Sequence, residues 1–249
     1  MPENVVRLDI RDGVARVTMD NPPVNAQSPA FHAEMTATFD RLSDLDEVRV
    51  VVLTGAGRVF SAGADLKARK GRASRGEPGA QWAHLREGRE TYHAVAECVK
   101  PVIAALNGPA LGAGLAVAAS CDILVAAETA SLGLPEIDVG VIGGGRHAMR
   151  LFGHSLTRRM ALTGYRVPAT ELLRLGVVEA VVPAERLMET AMAMAADIAA
   201  RPAAATRVGR HILNTVETMS LRDGLRFEQA ALARLDPGDD ASIRPFSDP

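Results

Sequence analysis

Two segments rich in glycine and alanine are the first places in this sequence where a ligand could approach the backbone closely. Residues 61–65 (Ser-Ala-Gly-Ala-Asp) follow the apolar run 48–53, and residues 112–114 (Gly-Ala-Gly) follow the apolar run 102–106. Each segment leads into a helical pattern, and the N-terminus of a helix points free N–H groups outward. One such segment could hold a phosphate, whereas two facing each other could donate to a single oxygen that gains negative charge. Tight packing of a strand against a helix would give either segment the same composition.

A carboxylate downstream of both segments, Glu136, is the candidate acid/base. It ends the stretch 131–136 (Ser-Leu-Gly-Leu-Pro-Glu), which is strongly apolar. A carboxylate in such a stretch is expected to be partly buried, and burial raises the pKa of a carboxyl group. A pKa closer to neutrality suits proton transfer. A solvated loop carboxylate or a residue at a helix start would have the same local sequence.

Other reactive motifs are incomplete or missing from the sequence. Residues 143–148 (Gly-Gly-Gly-Arg-His-Ala) fit the G-x-G-x-x-A pattern of dinucleotide-binding oxidoreductases, but no acidic residue ends a second strand about 20 residues later. The sequence has no G-x-S-x-G elbow, no H-E-x-x-H and no P-loop. The two cysteines, Cys98 and Cys121, have no metal-type spacing. We therefore expect no metal site.

The overall composition is that of an ordinary globular protein. Of 249 residues, 47% are hydrophobic and 23% are charged, and the formal net charge is −2. This charge provides no general attraction for nucleic acid or an anionic membrane. No stretch approaches the roughly 20 apolar residues of a membrane span, and the N-terminus lacks the pattern of a signal peptide. We expect a cytoplasmic protein with reduced thiols and no nucleic-acid or membrane partner.

The elements that must position these groups alternate between strand and helix. Residues 5–10 and 14–19 predict a hairpin, and Ser28 predicts the N-cap of a helix with Pro29 at its first position. A second helix is predicted over 81–100, and residues 68–79 predict a mobile surface loop. The side chains expected to face inward from the second helix are Trp82, Leu85, Tyr92, Val95 and Val99. This alternation predicts an α/β core.

The pattern changes after Pro183. Residues 184–200, 203–217 and 221–235 all have helical periodicity. We therefore expect an α/β core over residues 1–183 and a helical C-terminal region over residues 184–249.

The motifs of both glycine-rich segments and of Glu136 recur together in one known family. The chain resembles the crotonase (enoyl-CoA hydratase/isomerase) superfamily over about residues 5 to 235, because several motifs follow one another at the family's spacing. These motifs are Val51-Val52-Leu53-Thr54-Gly55, Phe60-Ser61-Ala62-Gly63-Ala64-Asp65-Leu66-Lys67, Pro101-Val102-Ile103-Ala104-Ala105-Leu106-Asn107-Gly108, Gly112-Ala113-Gly114, Cys121-Asp122-Ile123, Leu134-Pro135-Glu136, Leu162-Thr163-Gly164 and Leu175-Gly176-Val177-Val178.

The resemblance implies a spiral of ββα units with two roughly perpendicular sheets and C-terminal helices that mediate trimers or dimers of trimers. It implies that the backbone N–H groups of Ala64 and Ala113 form an oxyanion hole for the thioester carbonyl of an acyl-CoA, with Glu136 as the catalytic carboxylate. Coenzyme A would be part of the substrate, so no separate cofactor is expected. The residues implied to bind the acyl-CoA are Val24, Ala26, Ala62, Gly63, Asp65, Leu66, Lys67 and Gly112, with Lys67, Arg69 and Lys70 as candidates for its phosphates.

The sequence departs from the hydratase pattern at position 116. Enoyl-CoA hydratases of this family typically carry a second catalytic glutamate there, one helical turn after Ala113, where this chain has Ala116. Two carboxylates orient and deprotonate the water that adds across a 2,3 double bond. Shifting a double bond from the 3 to the 2 position needs only one carboxylate, which moves a proton between C2 and C4. The sequence therefore favours Δ3-Δ2 enoyl-CoA isomerisation by Glu136.

Several alternatives remain open at this stage. Asp138 could share a face with Glu136 if that segment is extended, and Arg146 or His147 could reach the acyl pocket. The break at residues 236–240 (Asp-Pro-Gly-Asp-Asp) interrupts the region where relatives carry a final basic helix. Hydratase activity, a thioester hydrolysis or a decarboxylation is possible within the superfamily. A catalytically silent acyl-CoA-binding protein is the alternative of another class.

Overall fold

The computed structural model describes residues 4–76 and 78–233. Within that part of the chain the strands are β1 (Val6–Arg11), β2 (Val14–Met19), β3 (Ala26–Gln27), β4 (Val50–Gly55), β5 (Gly63–Ala64), β6 (Val102–Leu106), β7 (Ala110–Leu111), β8 (Ile123–Ala127), β9 (Ser131–Gly133), β10 (Arg166–Pro168) and β11 (Ala180–Val182). The helices are α1 (Pro29–Asp44), α2 (Leu66–Ser74), α3 (Ala80–Glu97), α4 (Ala113–Ala119), α5 (Gly145–Leu151), α6 (His154–Thr163), α7 (Ala169–Arg174), α8 (Leu187–Ala199), α9 (Ala203–Val216) and α10 (Leu221–Leu232). Short 3-10 helices span Pro135–Val139 and Ala184–Arg186.

The main sheet has six strands in the order β1-β2-β4-β6-β8-β11. The predicted hairpin joins β1 and β2 in antiparallel pairing, and its two turn residues, Asp12 and Gly13, both have positive φ, as a tight two-residue hairpin turn requires. The remaining pairs are parallel. Two further groups of strands, β10-β9-β7 and β3-β5, lie beside this sheet. Strands and helices alternate, as the sequence predicts.

Each face of the main sheet buries its own hydrophobic cluster. Alternate side chains of β2, such as Ala15 and Val17, join a cluster with α1, whereas Val14 joins a second cluster with α8. Helix α8 therefore shares a core with the sheet even though the predicted boundary falls at residue 183. The division into a core and a helical C-terminal region stays a prediction, and residues 236–240 lie outside the described residues.

Helix α1 begins where the sequence predicts. Ser28 is its N-cap and accepts a hydrogen bond from the backbone N–H of Phe31 at 3.2 Å, and Pro29 occupies the first turn, where its missing N–H costs nothing. Its predicted inward face is fully buried: Phe31, Met35, Phe39 and Leu42. Each such side chain contributes about 1.5–3 kcal/mol to folding.

Two expectations in the region of α2 and α3 are wrong. Residues 66–74 form helix α2 rather than a loop, because Asp65 caps this stretch with its side chain. On α3, Tyr92 is half-buried and Val95 is buried, but Trp82, Leu85 and Val99 are 56%, 52% and 44% exposed. Trp82 and Leu85 lie in the first turns of the helix and Val99 follows its end. Helical periodicity identifies an apolar stripe but not how far along the helix the core extends.

Hydrogen bonds and an ion pair join helix α9 to Asp122 and to the end of α3. The Arg210 guanidinium donates to Asp122 Oδ2 at 2.7 Å and to the carbonyl oxygens of Val95 and Cys98 near the end of α3. Asn214 donates to the carbonyl of Ala96 at 2.9 Å. None of the helices in the described residues is long and apolar enough to cross a membrane.

Candidate active site

The two glycine-rich segments lie against each other. The backbone N–H of Leu111 donates to the carbonyl of Ser61 at 2.9 Å, and Ser61 forms a parallel bridge with Ala110. A Cβ added at Gly63 would lie 2.7 Å from the carbonyl oxygen of Leu111 and 3.1 Å from the backbone N of Ala113. A larger residue at position 63 would therefore separate β5 from the start of α4. The structure brings together the two segments that the sequence singled out.

A buried polar network holds this contact in place. Ser61 Oγ donates to the carbonyl of Asn25 at 2.7 Å, and Asn25 Nδ2 donates to the carbonyl of Val59 at 2.7 Å. Asn107 Oδ1 accepts from the N–H of Gly55 at 3.1 Å, while its Nδ2 donates to the carbonyl of Gly57 at 2.9 Å. Asn25 is 1% exposed and has a positive φ of 51°. Sequence reasoning missed the structural part played by Asn25, whose only signal is its place in the Asn-Pro-Pro-Val-Asn turn.

Strand β3 places Val24 and Ala26 beside the first segment. Ala26 pairs with Gly63 and Gln27 with Ala64, and the N–H of Ala62 donates to the carbonyl of Val24 at 2.9 Å. Val24 and Ala26 are half-buried, whereas Ala62 and Ala64 are exposed. The predicted binding residues therefore line an edge that solvent, and so a ligand, can reach.

The second segment provides the start of α4. Ala113 is the first residue of this helix, is half-buried, and follows Gly112, whose φ is +55°. N–H groups in the first turn of a helix have no partner within the helix, and no side chain among the described residues caps this end. The arrangement can thus present backbone donors beside Ala64 on β5.

The remaining predicted residues of the first segment open helix α2. Asp65 Oδ1 accepts hydrogen bonds from the N–H groups of Lys67 and Ala68, both at 2.9 Å, so its carboxylate is an N-cap. Leu66, Lys67 and Lys70 are exposed and Arg69 is half-buried. Contacts from these side chains to a phosphate stay a prediction.

Glu136 lies over the second segment. It belongs to the 3-10 helix that follows β9, and a Cβ added at Gly112 would be 2.5 Å from Glu136 Oε1. Burial raises the pKa of the Glu136 carboxyl above its ordinary value of 4.5, while a hydrogen bond from its own backbone N–H opposes the shift. Glu136 Oε2 is buried and finds no hydrogen-bond partner in the part of the chain that the structure describes. The Glu136 carboxylate can therefore reach the start of α4 only because residue 112 has no side chain.

Neither Ala116 nor Asp138 supplies a second carboxylate next to Glu136. Ala116 is 3% exposed on α4, one turn after Ala113. Asp138 lies in the same 3-10 helix as Glu136, where residues two apart do not share a face, and its carboxylate approaches Gly164 instead. The expectation that Asp138 could share a face with Glu136 is wrong because the segment is helical rather than extended.

Tyr92 on α3 lies near Glu136 and packs against His147. Tyr92 and His147 meet edge to face with ring centroids 5.1 Å apart. Burial, and then the negative charge of Glu136, raises the pKa of Tyr92 to about 12. Burial, and then the cations Arg150 and Arg146, lowers the pKa of His147. The sequence predicted only that Tyr92 faces inward from its helix, and its proximity to Glu136 was missed.

The glycine run 143–145 has a local structural role. It leads into α5 from the turn after Glu136 rather than from a strand, so it does not form a dinucleotide-binding βα turn. Gly144 has a φ of +72°, and a Cβ there would be 2.6 Å from Leu134 Cδ2. Arg146 is exposed, whereas His147 is half-buried. Across the described ranges, no group of three or more His, Cys, Asp or Glu side chains is arranged to hold a metal ion.

A model of the enoyl-CoA hydratase/isomerase family matches residues 9–243. The chain belongs to that family. A short-chain-enoyl-CoA hydratase of Clostridium acetobutylicum is 34% identical over 236 residues, which cover 93% of this chain and 89% of the relative. A protein of Mycobacterium tuberculosis named (7aS)-7a-methyl-1,5-dioxo-2,3,5,6,7,7a-hexahydro-1H-indene-carboxyl-CoA hydrolase is 34% identical over 218 residues, 87% of each chain.

The fold is that of the same family. The crystal structure of an enoyl-CoA hydratase from Bacillus anthracis superposes with a TM-score of 0.85 at 34% identity, covering 92% of this chain and 90% of that one. An enoyl-CoA hydratase from Mycobacterium smegmatis superposes with a TM-score of 0.86 at 29% identity, covering 94% and 93%. The protein is therefore a crotonase-type acyl-CoA enzyme with an α/β crotonase fold.

Proposed function

We propose that this enzyme isomerises a 3-enoyl-CoA to the 2-enoyl-CoA by moving one proton with Glu136. The observation that carries the proposal is the pairing of Glu136, whose buried Oε2 has no partner within the described residues, with Ala116 at the position of the second acid. Burial raises the pKa of Glu136 above that of a solvated carboxyl, and this direction suits a group that both accepts and returns a proton.

In this proposal the thioester carbonyl oxygen accepts hydrogen bonds from the backbone N–H groups of Ala64 and Ala113. The Glu136 carboxylate removes a proton from C2, and the electron pair of that C–H bond forms a dienolate whose charge rests on the thioester oxygen. The two N–H groups stabilise this charge. Protonated Glu136 then gives the same proton to C4, which leaves a double bond between C2 and C3. No oxidant, water or further cofactor is consumed.

The other predicted residues would hold the substrate rather than react with it. The exposed edge formed by β3 and β5 would contact the pantetheine part and the thioester through Val24, Ala26, Ala62, Gly63, Asp65, Leu66 and Gly112. Lys67, Arg69 and Lys70 on α2 would attract the phosphates of coenzyme A. Because a cation on a surface helix interacts weakly with a single charge, these contacts would mainly lower KM.

A second candidate is a reaction that consumes water, either hydration or hydrolysis. The names of the relatives favour it, since they include enoyl-CoA hydratases and a carboxyl-CoA hydrolase. Such a reaction requires a group besides Glu136 to orient the water, and Ala116 cannot supply one. Tyr92 and His147 would have to take that part.

The deciding experiment uses a 3-enoyl-CoA that carries deuterium at C2. Mass spectrometry and NMR of the product locate the label. Isomerisation by Glu136 predicts a 2-enoyl-CoA in which part of the deuterium has moved to C4. An unlabelled 2-enoyl-CoA serves as the second substrate, and its conversion to a 3-hydroxyacyl-CoA would establish the hydratase instead. Hydration of the 2-enoyl-CoA with no isomerisation of the 3-enoyl-CoA would contradict the proposal, and binding without any conversion would identify a catalytically silent acyl-CoA-binding protein.

We also propose that the C-terminal helices assemble the protein into a homotrimer or a dimer of trimers. Large apolar side chains on or beside α9 and α10 are exposed in the single chain, among them Leu213 at 70% and Leu221 at 91%. Exposed apolar patches of this kind mark interaction surfaces. Native mass spectrometry of the purified protein tests this: a monomer at micromolar concentration would contradict the proposal.

A further inference from the structure

The side-chain amide of Gln27 is buried next to the proposed oxyanion hole with half of its hydrogen-bonding capacity unused. Gln27 is 3% exposed, pairs with Ala64 through β3 and β5, and accepts a hydrogen bond from the N–H of Asp65 with its backbone carbonyl. Its Oε1 accepts from the Tyr92 hydroxyl at 3.3 Å. Its Nε2 is buried and has no hydrogen-bond partner among residues 4–76 and 78–233.

Tyr92 fixes the orientation of this amide. Its pKa of about 12 keeps the phenol protonated at neutral pH, so the hydroxyl can donate to Gln27 Oε1 and turn Nε2 away from it. The Tyr92 ring is held by the edge-to-face contact with His147, and Gly88 leaves room for its hydroxyl, since a Cβ there would lie 3.2 Å from the Tyr92 oxygen. Gln27 and Tyr92 are here called the amide pair: Tyr92 orients the amide, and Gln27 Nε2 supplies both N–H donors.

Tyr92 links the amide pair to Glu136. The charge of Glu136 acts on the Tyr92 hydroxyl, and Glu136 itself reaches the start of α4 over Gly112. The surroundings of the proposed reaction therefore contain an unused donor at Gln27 and an unused acceptor at Glu136 Oε2. Proton transfer uses the acceptor, but the proposed isomerisation has no use for the donor.

A plain hydrocarbon chain would be a poor ligand next to the Gln27 amide. Packing CH₂ groups against the Gln27 amide would leave its buried Nε2 without a partner, which is unfavourable, whereas an oxygen of the ligand would satisfy it. Sites that bind alkyl chains are lined by apolar side chains, and sites built to hydrogen-bond a substrate oxygen discriminate against the analogue that lacks it.

We propose that the acyl group of the substrate carries an oxygen, as a ketone or a hydroxyl beyond the carbons that react, and that Gln27 Nε2 donates a hydrogen bond to it. Tyr92 is a positioning residue that holds the amide. This inference rests on the proposed function only in that the site must hold an acyl-CoA.

The test measures binding by titration calorimetry with saturated thioesters, which cannot isomerise. Hexanoyl-CoA is compared with 4-oxohexanoyl-CoA, 5-oxohexanoyl-CoA and 5-hydroxyhexanoyl-CoA. We expect at least one of the oxygenated ligands to bind about tenfold more tightly than hexanoyl-CoA, equivalent to about 1.4 kcal/mol. If none of the three binds more tightly than hexanoyl-CoA, the proposal is wrong.

Two variants and a control assign the preference to the amide pair. Gln27→Met removes the amide at similar length and Tyr92→Phe removes only the hydroxyl. Each should abolish most of the tenfold preference while hexanoyl-CoA still binds, and that retained binding shows that the site is folded. The control, Thr91→Val, removes a buried hydroxyl of α3 that contacts His32 Nδ1 at 2.9 Å, and should keep the preference.

The outcomes separate this inference from the isomerase proposal. A weakening of all four ligands by the same factor in Gln27→Met would show that the amide only supports the fold, and would overturn the inference. If the oxygenated ligand is preferred but no 3-enoyl-CoA is isomerised, the inference stands and the reaction must be reassigned. If no acyl-CoA binds to the wild-type protein, both proposals fall.

Discussion

Asp122 and Glu136 are two carboxylates with opposite hydrogen-bonding environments. Asp122 Oδ2 accepts hydrogen bonds from the N–H of Val102 at 2.6 Å and from Arg210 Nε at 2.7 Å. Glu136 Oε2 is buried and has no such partner within the described part of the chain. The Asp122 carboxylate links β6 to α9. The Glu136 carboxylate has an unsatisfied acceptor oxygen and lies against Gly112.

The difference shows how the same functional group serves stability at one place and chemistry at another. Buried polar groups in proteins are almost always paired, so an unpaired one needs an explanation. Perturbed carboxylates tend to occur at functional sites. Asp122 and Arg210 together form a structural ion pair, whereas the unpaired Oε2 of Glu136 fits the proton transfer proposed above.

The strongest prediction removes the charge of the unpaired carboxylate. Glu136→Gln should lower kcat/KM for the acyl-CoA substrate by roughly 10²–10⁴, because it removes a positioned acid/base while leaving the shape of the site intact. Steady-state kinetics measure the loss. Asp138→Asn is the matched control, since Asp138 approaches Gly164 instead, and should retain activity. Equal losses in both variants would mean that Glu136 has no special role.

Removing the partner of Asp122 is expected to lower stability and leave activity unchanged. Arg210→Met should lower the free energy of unfolding by about 3 kcal/mol, because it leaves Asp122 and the carbonyls at the end of α3 without their donor. For 249 residues this lowers Tm by roughly 6–12 °C. Calorimetry measures the shift, and kcat per folded molecule should be unchanged. Arg174→Met, which breaks an exposed ion pair with Glu171, should leave Tm nearly unchanged.

A smaller effect is expected from moving Glu136 rather than removing it. Gly112→Ala places a methyl group 2.5 Å from Glu136 Oε1, which is too close, so the carboxylate must move. We expect kcat/KM to fall about 10- to 100-fold, or roughly 1.4–2.8 kcal/mol of transition-state stabilisation. Gly57→Ala is the matched control, because Gly57 also has a positive φ but its Cβ would meet nothing within 4 Å. If both variants lose only stability, Gly112 does not position the carboxylate.

The smallest predicted effect is on stability as a function of pH. Burial raises the pKa of Glu136 in the folded protein, so folding favours its protonated form, and this contribution is lost as the pH rises from 4.5 through the folded pKa. In Glu136→Gln that loss cannot occur. Tm of the variant should therefore match the wild type below pH 4.5 and equal or slightly exceed it at neutral pH. A variant that becomes less stable than the wild type as the pH rises would contradict the raised pKa.

Much of the fold was predictable because it depends on local rules. The Asp12-Gly13 turn, the Ser28 cap and the buried face of α1 each follow from residues close together in sequence. The Asp65 cap of α2 is a local signal that the sequence analysis missed, whereas the expectations for Trp82 and Leu85 were wrong because burial along a helix depends on what packs nearby. For the same reason the helical character of the Glu136 segment, which separates it from Asp138, was missed.

The sequence by itself determined the family, the two glycine-rich segments and the single carboxylate, since these are matters of residue type and order. Only the tertiary structure decided that Gly63 faces Ala113, that Glu136 reaches over Gly112, and that Tyr92 and Gln27 meet beside them. Gln27 and Tyr92 are 65 residues apart and lie on a strand and a helix whose own patterns give no reason to pair. A contact between such distant residues depends on how elements pack, because hydrophobic burial, which drives the packing, has no direction of its own.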